Sequence, residues 1–170
     1  KWDTLVSVLP AKVVTRVYCD QSVSGTVYAT FSGSTPLHVY KSTDQGTNWV
    51  SISGDLGDIP VNCIIGHPTI SSTLYIGTDA GVFVTTNGGT NWQRESGVPN
   101  SGVIDLGLTS NNNLVAATHG RSMFRAPLFT TPSVTLLSPN GGQSFLVSSQ
   151  QTISWISSNV SLVNIELSTN

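Results

Sequence analysis

The chain has 170 residues, enough for one ordinary domain with a core of its own. With 7 Lys and Arg against 9 Asp and Glu the net charge is −2, and no basic run marks a nucleic-acid or anionic-membrane surface. No apolar run approaches the ~18 residues of a spanning helix, so neither a nucleic-acid partner nor a membrane span is expected.

Helical periodicity is almost absent. Short runs of Val, Ile, Tyr, Phe and Thr alternate with Gly, Asn, Pro and Ser clusters, the pattern of strands and turns. Trp2, Trp49 and Trp92 recur at intervals of 47 and 43 residues. That period suits four-stranded propeller blades of ~40–50 residues.

In chain order, residues 1–10 read as the last strand of a preceding blade, 11–55 and 56–98 as two full blades, and 99–128 as an incomplete last one. First strands begin at Val14, Val61 and Val103. The second strands superpose as Val27–Thr30, Leu74–Gly77 and Leu114–Ala117, and third strands follow at Leu37–Ser42, Gly81–Thr86 and Ser122–Pro127. Fourth strands are expected at Trp49–Ser53 and Trp92–Glu95; after the third blade none is found. Because propellers close with about four to eight blades, the chain is expected to be a piece of a longer polypeptide. The missing fourth strand is expected to come from near that polypeptide's start.

Residues 129–133 read as a linker. Residues 134–170 read as a separate β-unit with strands at Val134–Leu137, Thr152–Ile156 and Val163–Ser168. Alternation in "TISWIS" puts Ile153 and Trp155 on one face, as in a sandwich strand. The expected class is therefore all-β: a partial propeller plus an incomplete sandwich.

Two related octapeptides, "STDQGTNW" (42–49) and "TTNGGTNW" (85–92), link third to fourth strands. In each, a short polar side chain (Asp44, Asn87) can accept backbone N–H groups round a tight turn. A glycine (Gly46, Gly89) permits positive φ, a hydroxyl (Ser42, Thr85) adds an acceptor, and a buried ring (Trp49, Trp92) pins the hairpin. A catalytic carboxylate would not tolerate the Asp-to-Asn exchange, so these residues read as structural.

The octapeptides resemble the Asp-box, or BNR repeat, of sialidases, sortilin-type propellers, xyloglucanase-type glycoside hydrolases and many bacterial secreted proteins. Residues 1–128, including "THGRSMFR" (118–125), look most like the last group. In the resembling families the Asp-boxes lie at the propeller periphery, away from the catalytic centre. The tail, "SPNGGQSF…TISW…VNIELSTN", resembles an immunoglobulin-like module of bacterial surface proteins. The resemblance implies a secreted or cell-surface protein with carbohydrate or protein partners.

Asp79 and His119 occupy equivalent turns between second and third strands, and Arg121 follows; together they form a candidate ligand-facing loop set. Glycoside hydrolysis needs two carboxylates across a cleft; Asp55, Asp58, Asp79 and Asp105 are present, but no pair is marked by spacing. Arg16, Arg94, Arg121 and Arg125 match no sialidase-type arginine triad. His38, His67 and His119 show no metal-ligand spacing, so no metal or cofactor is expected. Cys19 and Cys63 fall at different heights on neighbouring inner strands and read as free, buried thiols without a disulfide. Asn159-Val160-Ser161 fits the N-x-[ST] acceptor pattern.

These features point to a non-catalytic binding, adhesion or structural propeller. The alternative is a fragment of a sialidase- or xyloglucanase-like glycoside hydrolase with its carboxylates partly in other blades. Open strand edges also suggest self-assembly.

Overall fold

The computed structural model of the chain describes residues 9–34, 36–158, 160 and 162–166. Trp2 and most of the expected strand at 1–10 lie outside the described residues, as do Asn159, Ser161 and the end of the strand expected at Val163–Ser168. The chain divides into two compact units, Lys1–Leu128 and Phe129–Asn170.

The first unit is all-β. Its first sheet is an antiparallel meander, β1 (Val14–Cys19), β2 (Val27–Phe31), β3 (Val39–Ser42) and β4 (Val50–Ser51). The second repeats it as β5 (Val61–Gly66), β6 (Leu74–Thr78), β7 (Gly81–Thr85) and β8 (Gln93–Arg94). The third sheet has β9 (Val103–Leu108), β10 (Asn113–Thr118) and β11 (Met123–Pro127), and no described strand pairs with the outer edge of β11.

Each chain reversal has a local cause. Val and Ile are at home in the strands, and positive-φ residues punctuate them. Leu37, at φ 76°, holds the chain out of the sheet, so β3 starts at Val39 and not at Leu37 as the pattern suggested. The fourth strands are shorter than expected, two residues each, because Trp49 and Trp92 turn inward ahead of them.

The first strand of each blade faces the common axis. Thr15 Oγ1 on β1 donates to Val61 O on β5 at 2.6 Å, and Asn62 Nδ2 on β5 donates to Val103 O on β9 at 3.1 Å. Arg16 on β1 also reaches Asp105 on β9, at 2.9 Å. Sheets that radiate from converging first strands are the arrangement of a propeller; this is a partial propeller.

The main core lies between the first and second blades. Tyr28 and Val39 meet Leu74, Ile76 and Trp92 there, all nearly excluded from water. A second cluster, Ala29, Phe31, Tyr40 and Trp49, covers the other side of the first blade. His38 is fully buried at the head of β3, with Nδ1 3.0 Å from Phe31 O and Nε2 2.9 Å from Asp58 Oδ1.

In the second unit, β12 (Ser133–Ser138) and β13 (Ser154–Ser158) form an antiparallel pair in which Leu136 opposes Trp155. Val134, Leu136, Ile153, Trp155 and Ile165 line one apolar depression. The expected strand at Val163 does not form: residues 162–166 carry no strand pairing. The strand expected at Thr152–Ile156 runs two residues later. An exposed two-stranded ribbon is marginal by itself, which fits its mostly exposed side chains.

Candidate functional site

The two octapeptides build one and the same turn. Asp44 Oδ1 accepts from Asn48 N at 2.8 Å and Ser42 Oγ at 2.8 Å, and Oδ2 accepts from Asn48 Nδ2 at 2.7 Å. Asn87 Oδ1 accepts from Asn91 N at 3.0 Å and Thr85 Oγ1 at 2.9 Å, and its Nδ2 donates to Asn91 Oδ1. The hydroxyls of Ser42 and Thr85 accept from Gly46 N and Gly89 N at 2.8 and 2.9 Å. Gly46 and Gly89 sit at φ 92° and 94°, where a Cβ would be strained. The hydrogen bonds from Asn48 and Ser42 hold the Asp44 carboxyl below its usual 3.8. The Asp44 and Asn87 side chains and the Ser42 and Thr85 hydroxyls thus bond within their own turns.

The tryptophans differ in reach. Trp49 Nε1 donates inside its own turn, to Gly46 O at 2.8 Å. Trp92 Nε1 donates across to Ile52 O of the preceding blade at 3.0 Å. Asp55 adds a clip that sequence reasoning missed. Its carboxylate accepts from Trp92 N at 2.7 Å and Asn91 Nδ2 at 2.9 Å, and these bonds lower its pKa below 3.8. An aspartate six residues past one tryptophan carries no local signal that it serves the next hairpin.

The ligand-facing candidates separate. Asp79 and His119 line the same open depression, of about 610 Å³, beside the converging first strands. Thr15, Asn62, Gly102 and Ile104 complete its lining. Asn62 Nδ2 donates to Asp79 Oδ1 at 2.9 Å, which aims that carboxylate along the depression wall. His119 is held through its backbone, N donating to Gly102 O at 2.7 Å and O accepting from Ser101 Oγ at 3.2 Å, and it is exposed. Arg121 is exposed and does not line this depression.

The remaining carboxylates are engaged elsewhere: Asp55 with Trp92, Asp58 with His38, Asp105 with Arg16. Arg94 ties its blade together by donating to Ala80 O and Val98 O. His67 Nδ1 accepts from Ile70 N and Thr69 N, which stabilises a turn. Among the described residues, no three His, Cys, Asp or Glu side chains gather as a metal site.

Both thiols are free, but only Cys63 is buried; its pKa is pushed up to about 12, chiefly by burial. Cys19 is exposed, contrary to the sequence expectation. It is the last residue of β1, opposite Val27 where the chain turns toward β2, and β1 is mostly exposed.

No protein-family model matches the chain. The xyloglucanase of Hypocrea jecorina is 36% identical over 110 residues, which cover 64% of this chain and 12% of that enzyme. Among solved structures, an ancestral GH74 enzyme aligns at a TM-score of 0.54 and 24% identity, covering 64% of this chain and 14% of its own. The GH74 xyloglucanase of Xanthomonas campestris aligns at 0.50 and 12% identity, covering 61% of this chain and 18% of its own. The structural likenesses establish the β-propeller fold. The chain spans about an eighth of the curated relative's length, and that relative favours the glycoside hydrolase reading over the non-catalytic one.

Proposed function

We propose that residues 1–128 are blades of a secreted glycoside hydrolase acting on a xyloglucan-type β-glucan. The observation that carries this is the 36% identity to a xyloglucanase across 110 residues. In this reading 11–55 and 56–98 are Asp-box blades, 99–128 is an incomplete last blade, and the second unit begins an immunoglobulin-like module. The depression around Asn62, Asp79 and His119 is the glycan-facing part of these blades. A neutral polysaccharide suits a wall of hydroxyl, amide, carboxylate and imidazole groups, each able to bond sugar hydroxyls.

Catalysis in this reading draws on carboxylates supplied by further blades, since Asp55, Asp58 and Asp105 are committed to structural bonds. That commitment also supports a second reading, a propeller that binds glycan without cleaving it. The test is turnover of xyloglucan by the whole polypeptide. Release of reducing ends supports the hydrolase; binding without turnover supports the second reading; neither one overturns both.

A further inference from the structure

We propose that Asn140 is a self-modifying site, where the chain converts its own side-chain amide to a carboxylate, and that Asn87 is held back from the same reaction. The triplet Asn-Gly-Gly occurs twice, at 87–89 and at 140–142. Asparagine is a thermolabile residue, and a glycine after it opens one intramolecular route. The glycine nitrogen attacks the side-chain carbonyl carbon, and the missing Cβ leaves the backbone free to bring the two together. Sequence alone ranks the two sites equally. Their surroundings separate them.

Both asparagines are exposed, so access of water does not distinguish them. Bonding does. At the first site the nucleophile is occupied: Gly88 N donates to Ser72 O, in the turn between β5 and β6, at 2.9 Å. The electrophile is fixed as well. Asn87 Oδ1 accepts from Asn91 N and Thr85 Oγ1, and Nδ2 donates to Asn91 Oδ1 at 3.0 Å. Ring closure here would break the backbone bond and pull the amide away from three others, so the hairpin must open locally before it can react.

The second site has none of these restraints. Gly141 follows β12 at φ 106°, and a Cβ built on it would find nothing within 4 Å. Among the described residues Gly141 N meets no acceptor, and Asn140 Nδ2, the leaving nitrogen, has no partner. The bond that the Asn140 side chain does make favours the reaction: Gln143 Nε2 donates to Asn140 Oδ1 at 2.6 Å. That oxygen gains negative charge as the nitrogen adds to its carbon, and a donor already in place stabilises the charge.

The step balances with water as the co-reactant. Gly141 N gives up its proton and bonds to Asn140 Cγ; the Cγ–Nδ2 bond breaks and ammonia leaves with that proton. Water then opens the resulting succinimide. Attack at the side-chain carbonyl gives aspartate, and attack at the backbone carbonyl gives isoaspartate, which adds a methylene to the main chain. Nothing is oxidised or reduced. The second unit gains a negative charge, while the blade hairpin keeps its amide.

The test incubates the whole chain in mildly alkaline buffer, follows both Asn-Gly peptides by mass spectrometry, and detects isoaspartate by enzymatic methyl labelling. Asn140 is expected to gain the mass difference between amide and acid while Asn87 stays intact; in urea Asn87 should convert as well. Gln143→Ala, in an exposed loop, should slow conversion of Asn140 by about two- to tenfold, the range for losing one hydrogen bond. Conversion of Asn87 as fast as Asn140 in the native chain overturns the proposal. So does an Asn140 that stays intact, or one whose rate ignores Gln143→Ala.

Discussion

The Asp55 carboxylate, in the loop that leaves the first blade, receives the backbone N–H of Trp92 in the second at 2.7 Å. One residue thus caps a hairpin that belongs to its neighbour. The same hairpin carries an uncharged Asn87 where the first blade's hairpin has Asp44. Charge at the second turn therefore comes from the blade before it, and the two blades are tied by an ionisable link.

Acid should loosen this link. Hydrogen bonds lower the pKa of both Asp55 and Asp44 in the folded chain, below the ordinary 3.8. A lowered folded pKa means that the stabilisation is present above about pH 4 and is lost as pH falls through the lower value. The thermal midpoint should drop as the pH is taken below about 4. Asp55→Asn should flatten that drop, while the Asn87 turn contributes none of it. Melting curves recorded across this range check the sign.

The indole of Trp92 joins two blades, and its loss should cost more than a local turn. Trp92→Ala is expected to destabilise the chain by about 3–5 kcal/mol, the range for emptying a large buried ring. Trp92→Phe keeps most of the ring and gives up the bond to Ile52 O, about 1 kcal/mol. Urea unfolding of both variants separates ring burial from the hydrogen bond.

The two thiols should report the fold separately. Cys63 is buried with its pKa pushed up to about 12, whereas Cys19 is exposed. A thiol-specific reagent at pH 8 should modify Cys19 in the native chain and both cysteines in denaturant. Mass spectrometry of the labelled peptides distinguishes this pattern; modification of Cys63 in the native state would contradict the packing.

The sequence made the blade plan legible because a repeat states each signal more than once. The tryptophan spacing and the aligned Val27, Leu74 and Leu114 placed the second strands, and the structure adds only a residue or so at their ends. The octapeptides exposed the bonding of Asp44 and Asn87, since the partners of those side chains lie within eight residues. What stayed hidden depends on contacts between blades. Nothing near Asp55 in sequence points to Trp92, and nothing near Asn62 points to Asp79. Leu37 looked like a strand residue because its side chain suits one; its φ of 76° leaves no mark in the pattern of side chains. Strand Val163 failed for a related reason, since alternation alone supplies no partner to pair with.

The role of the axial depression is tested most directly by an amide NMR titration of the chain with a xyloglucan oligosaccharide. The account predicts that signals of Asn62, Asp79, Gly102 and His119 move together and saturate, and that Asp79→Ala with His119→Ala removes the response. Shifts confined to other surfaces, or no shifts at millimolar oligosaccharide, would contradict it.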